Sequence, residues 1–235
     1  MADLGLQAYR FSIAWPRVLP AGRGLINEAG IDFYDRLIDE LLAAGITPMP
    51  TLYHWDLPQA LQDEGGWLER STSEAFADYT ELMVSRLGDR IDTWMTLNEP
   101  YVSAVLGHVI GNHAPGMTEL RAGLSAAHHL LLGHGLALER IRSVAPQADA
   151  GIVINFTGLE PATDSPADVA LARLSNGWEN EWYINPIMKG AYPGDIVESL
   201  GWDQAEIHDG DMDLISAPID VLLSLIHISE PTRPY

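Results

Sequence analysis

Two hydrophobic periods alternate along the chain. From Ala8 to Ala14 the period is two: Tyr9, Phe11, Ile13 and then Trp15 fall on one face, with Arg10, Ser12 and Ala14 on the other. That predicts a strand. After Asn27 the period lengthens. Ile31, Tyr34, Leu37, Ile38, Leu41 and Leu42 recur at helical spacing as far as Ala44, with Asn27 placed to cap the start and Gly45 to end it. Residues 46–53 predict a second strand, although Pro48 and Pro50 each remove a ladder donor. Ser71-Thr72-Ser73-Glu74 has capping-box spacing and predicts a helix reaching about Leu87, ended by Gly88. Further strands are expected over 93–97, 149–156 and 215–222. Helices are expected over 120–144 and from the Ser165-Pro166 pair towards Trp178. Residues 1–5 read as the last turn of a helix.

Strand, helix, strand, helix is the signature of an α/β protein with a parallel sheet. Five strands suffice for an open doubly wound sheet, whereas a closed barrel needs eight.

Charge narrows the partners. The 235 residues carry 33 acidic and 13 basic side chains, a formal net charge of −20. Neither a nucleic acid nor an anionic membrane surface is an expected partner. Cysteine is absent, so disulfides, thiolate metal sites and cysteine nucleophiles are excluded. No run of about 18 apolar residues occurs to span a bilayer. The opening residues lack the pattern of a signal peptide, which makes the cytoplasm the expected location. No cofactor and no metal is implied.

Three segments carry candidate chemistry. Thr93-Trp94-Met95-Thr96-Leu97-Asn98-Glu99-Pro100 is a hydrophobic strand ending in a carboxylate. Pro100 is expected to hold Glu99 in an extended or polyproline conformation. Glu99 then sits at the carboxyl end of a parallel strand, where such folds place their chemistry. It is either a proton donor or a cap for the following helix. His54-Trp55-Asp56-Leu57-Pro58 follows the second strand; an imidazole beside an indole suits a hydroxylated ring, and a satisfied core pair is the alternative. A metal site on His54 and Asp56 is the weaker reading, for want of a third ligand. Arg10 points away from the aromatic face of its strand, where a buried guanidinium needs a carboxylate partner. His128, His129 and His134 do not share one helix face, so they read as core. Asp209-Gly210-Asp211-Met212-Asp213 reads as a solvated acidic turn.

AYRFSIAWPRVLP, TLYHWDLPQAL, GGW, WMTLNEP, AAHHLLLGHG and GAYPGDI, in this order, resemble glycoside hydrolase family 1, the β-glucosidase family. The resemblance runs from about Met1 to Leu222. It implies a (β/α)8 barrel of which strands two to six are present, and retaining hydrolysis of a β-linked glucoside or oligosaccharide. By resemblance Glu99 is the general acid/base, Asn98 binds the sugar 2-hydroxyl, His54 and Trp55 contact the glycone, and Arg10 pairs with the nucleophilic glutamate. Strict alternation sends Asn98 and Glu99 to opposite faces, so a shared pocket requires a twisted or bulged strand end. The family nucleophile, a Glu followed by Asn-Gly, has no match here; an isolated chain without it is expected to be inactive. A natural, non-catalytic sugar-binding half-barrel is the alternative, and oligomeric state is not legible.

The last residues break the pattern. LSLIHISEPTR, Leu223 to Arg233, is what a sequencing-library transposase adapter would encode if translated. The expected organisation is therefore an incomplete glycosidase barrel over 1–222, cut at both ends, and a non-native tail over 223–235.

Overall fold

In the computed structural model, which describes residues 1–224, five parallel strands follow one another in chain order: β1 (Ala8–Ser12), β2 (Thr47–Tyr53), β3 (Thr93–Asn98), β4 (Asp149–Ile154) and β5 (Val221–Ser224). The helices are α1 (Trp15–Val18), α2 (Glu28–Ala43), α3 (Gln59–Asp63), α4 (Arg70–Leu87) and α5 (Leu120–Val144), then α6 (Pro166–Asn176), α7 (Trp182–Lys189), α8 (Gly194–Leu200) and α9 (Asp211–Ile215). Sequential parallel neighbours joined through helices make a partial (β/α)8 barrel. Among the described residues no helix is long and apolar enough to cross a membrane.

The prolines of β2 sit where they do least harm. Pro48 and Pro50 pair by register with Tyr9 and Phe11 of β1, while β2 meets β3 only from Thr51 onward. Thr47 sends its N–H towards β1, to the Gln7 carbonyl. By alternation the absent N–H groups lie on the β3 side, before that ladder begins. Phe11, Ile13 and Trp15 enter the core as predicted, and Trp15 stacks on Tyr79 with ring centroids 5.1 Å apart.

Three sequence expectations change. Helix α4 begins at Arg70, with Glu69 at the cap position and no side-chain cap, so the Ser71 capping box does not form. The next two hydroxyls are spent elsewhere: Thr72 donates to the Gly66 carbonyl and Ser73 to the His129 carbonyl, each at 2.6 Å. The strand expected over 215–222 splits. Ile215 ends α9, the N–H groups of Ser216 and Ala217 bond back to Met212 and Leu214, and extended chain resumes at Val221. Leu223 and Ser224, the first residues of the expected tail, lie opposite Val153 and Ile154 in β5; the rest of that tail lies outside the described residues.

Asp211, expected in a solvated turn, is 1% exposed. Arg70 grips it with two hydrogen bonds of 2.7 and 2.6 Å, and the His208 N–H adds a third at 2.8 Å. A carboxylate only accepts, so His128 Nε2, 3.1 Å away, carries the proton, and His128 Nδ1 accepts from the Tyr192 hydroxyl at 3.2 Å. Burial is the largest influence on Asp211 and acts to raise its pKa. The hydrogen bonds and the Arg70 charge outweigh it and bring the carboxyl down to about 2. This cluster ties α9 to α4 and α5. The reading of His128, His129 and His134 as core residues holds: all three are buried.

Candidate active site

The end of β3 creates the site. Met95 pairs with Gly151 and Asn98 with Val153, so three steps on β3 oppose two on β4. The one extra residue is a β-bulge. Just past it Glu99 takes a left-handed conformation, φ +47°, donating its N–H to the Val153 carbonyl at 2.8 Å and accepting from Val102 N–H at 2.9 Å. The extended conformation expected from Pro100 is therefore not adopted. The bonds to β4 and to the following helical turn hold a backbone that local sterics before proline disfavour. Across the bulge and the reversal, the Asn98 side chain still acts on the Glu99 carboxyl.

Asn98 is the hub. Its Oδ1 accepts from Arg10 Nη2, and its side chain acts on the neighbouring Glu99 carboxyl to draw its pKa down. Its backbone carbonyl accepts from Trp55 Nε1 at 2.9 Å. Arg10 Nε donates to Thr51 Oγ1 at 2.9 Å. His54 meets Trp55 edge-on with centroids 4.7 Å apart, and Trp55 itself has φ +78°. All five sequence-predicted residues thus come together at the carboxyl ends of β1, β2 and β3. Arg10 and His54 line a cavity of about 500 Å3.

Electrostatics set the protonation states. Burial raises the Glu99 pKa above its ordinary value; the Arg10 charge and the Asn98 hydrogen bond pull it back without cancelling the rise. A carboxyl open to water beside Arg10 would titrate at or below the usual value, and the half-buried position overturns that expectation. Burial lowers the Arg10 pKa, against the pull of Glu99, and burial together with Arg10 lowers that of His54. His54 is neutral at pH 7 and offers one donor and one acceptor. Among the described residues no ion pair joins Arg10 to a carboxylate; its bonds run to Thr51 and Asn98.

Sequence reasoning missed two contributors. Thr51 faces Arg10 from β2, a place legible only once the β1–β2 register is known. His113, on the loop before α5, packs 5.5 Å from the Trp55 ring, with no sequence signal to join them. Asp56 belongs to the segment singled out from sequence, but it lines a separate cavity with Trp55. Among the described residues no group of three His, Cys, Asp or Glu side chains is placed to hold a metal ion.

A carboxylic acid, an arginine, an imidazole and an amide thus gather at the carboxyl ends of parallel strands, the end at which barrel folds place their chemistry. The sequence model of glycosyl hydrolase family 1 matches residues 1–230, and the chain belongs to that family. It is 44% identical over 224 residues to beta-glucosidase A of Acetivibrio thermocellus, covering 94% of this chain and 50% of that protein. The crystal structure of the AHE enzyme from Alicyclobacillus herbarius superimposes with a TM-score of 0.93 at 47% identity, over 96% of this chain and 52% of that one. A psychrophilic beta-glucosidase from Micrococcus antarcticus does so with a TM-score of 0.92 at 47% identity, over 95% and 48%. The chain spans about half the length of these relatives.

Proposed function

We propose that this chain supplies the acid/base side of a retaining β-glycosidase site acting on a β-linked glucoside or oligosaccharide. The observation that carries the reading is the β3 bulge, which sets the Glu99 carboxyl beside Asn98 and within the field of Arg10. Protonated Glu99 gives its proton to the glycosidic oxygen as a nucleophilic carboxylate attacks the anomeric carbon. The leaving group departs as an alcohol. Ionised Glu99 then takes a proton from the water that opens the glycosyl-enzyme. Burial of Glu99 favours the protonated form that the first step needs. Neutral His54, Asn98 and the Trp55 face hold the sugar, and Arg10 stands ready for the second carboxylate.

That second carboxylate must lie about 5–5.5 Å from Glu99 for retention. The sequence carries no Glu-Asn-Gly, and among the described residues Arg10 is the charged group that acts on Glu99. The chain alone is therefore expected to release no sugar. The reading extends to a cytoplasmic enzyme, which cell fractionation checks.

The test is a fusion of residues 1–222 to the remaining half of the Acetivibrio relative. It should hydrolyse an aryl β-glucoside, and Glu99→Gln should cut the rate by a factor of about 10²–10⁴. A fusion whose activity survives Glu99→Gln would refute the assignment.

A further inference from the structure

A second cavity, of about 430 Å3, lies between α3 and the loop before α5 and shares no lining residue with the Arg10–His54 cavity. Its walls include Tyr53, Trp55 and Trp67, with Asp56, Ser103 and His108 among them. Exposed Gln59 and Ala114 mark its rim. The size falls within the range of small-molecule sites.

Two polar atoms of this wall have no hydrogen-bond partner among the described residues, Asp56 Oδ1 and His108 Nε2, while the Ser103 hydroxyl lies beside that of Tyr53. His108 is 1% exposed, so its Nε2 is a costly orphan. Their chemistry can be assigned. His108 Nδ1 lies 2.8 Å from the Ser103 carbonyl. A carbonyl only accepts, so Nδ1 holds the proton and Nε2 presents a lone pair. Burial lowers the His108 pKa and keeps the ring neutral. Asp56 is paired with no cation among the described salt bridges and is an acceptor when ionised. Trp67 Nε1 is committed to the Tyr53 hydroxyl at 2.9 Å, so it donates nothing to the cavity.

The wall therefore offers two acceptors, a hydroxyl and aromatic faces, in a chain of net charge −20. A metal ion would find two strong ligands here, Asp56 and His108, too few for a stable site. A neutral polyol would leave the Asp56 charge unanswered. A primary ammonium carries three donors and one positive charge, and it is attracted to indole and phenol faces.

We propose that this cavity is a binding site for a small aliphatic primary amine, held by Asp56, Ser103 and His108 against Trp55. The site is independent of the hydrolytic reading. Because Trp55 also donates to the Asn98 carbonyl, an occupant would touch the residue that anchors the hub of the sugar site.

Saturation-transfer NMR on the 235-residue chain in phosphate buffer, with ethanolamine as probe and ethylene glycol as its uncharged counterpart, tests this. Ethanolamine should bind in the millimolar range and ethylene glycol at least about tenfold more weakly. Asp56→Asn should weaken ethanolamine by about tenfold or more, and His108→Phe should do likewise. Glu99→Gln should leave binding unchanged, which separates this cavity from the sugar site. Equal binding of the two probes, ethanolamine binding that survives Asp56→Asn in a chain with unchanged circular dichroism, or binding lost on Glu99→Gln would each overturn the proposal.

Discussion

Glu99 shows how far one residue can be read from sequence. The motif Asn-Glu-Pro names it, and the resemblance gives it a role. Its left-handed backbone and raised pKa were not legible, because both come from the β3–β4 register and from burial, which are long-range facts. Carbon-13 titration of Glu99 should find a midpoint above the ordinary 4.5; a value at or below 4.5 would show that Arg10 and solvent outweigh burial. Two other carboxyls have opposite signs in the pH dependence of stability. Burial raises Asp56 from 3.8 to about 6, so the folded state holds that proton more tightly than the unfolded chain. Its contribution is present below 3.8 and is lost as pH rises through about 6. Asp211, brought down to about 2, contributes above 3.8 and loses that contribution as pH falls through about 2. Asp56→Asn should therefore raise the thermal midpoint at pH 7 and flatten its fall between about pH 4 and 6. Asp211→Ala should lower stability at pH 7 by about 3 kcal/mol, since it strands His128 and part of Arg70. Urea unfolding of both variants checks the pair.

At the scale of elements, period and punctuation found the long pieces. Helix α5 has the predicted bounds, Leu120–Val144, and Ser165 caps α6 by accepting from Asp168 N–H. The failures came where side chains answered distant partners. Ser73 serves α5 rather than its own helix, and α9 replaces part of an expected strand because Asp211 docks on Arg70. The bulged strand is secured in the same way. Thr96 Oγ1 lies 3.1 Å from the Gly151 carbonyl and 2.7 Å from His134 Nδ1. The hydroxyl proton goes to the carbonyl, so His134 Nδ1 is the donor to Thr96. Burial drives His134 to about 3, keeping it neutral. Thr96→Val leaves that N–H and the Gly151 carbonyl without this partner and should cost about 1–3 kcal/mol. Hydrogen exchange localised to β3, β4 and α5 would show the loss; uniform protection across the chain would argue against it.

For the molecule as a whole, the strand order leaves β1 and β5 with one neighbour each among the described residues. Phe33 and Leu42 of α2 are more than two-fifths exposed. Open parallel edges and uncovered apolar surface favour association. The purified chain should form oligomers at micromolar concentration. Light scattering that reports a monodisperse monomer with one sharp unfolding transition would contradict this. The partial barrel was legible from six ordered motifs. The hub at Asn98 was not, because it depends on three strands meeting in register. That hub is the centre of the functional account, and stereochemistry tests it most directly. In the fusion of residues 1–222 with the remaining half of the Acetivibrio relative, proton NMR during hydrolysis of an aryl β-glucoside reports the first sugar anomer formed. The account predicts the β-anomer from the wild-type fusion and no product at a comparable rate from Glu99→Gln. The α-anomer formed first, or a Glu99→Gln fusion as active as wild type, would contradict it.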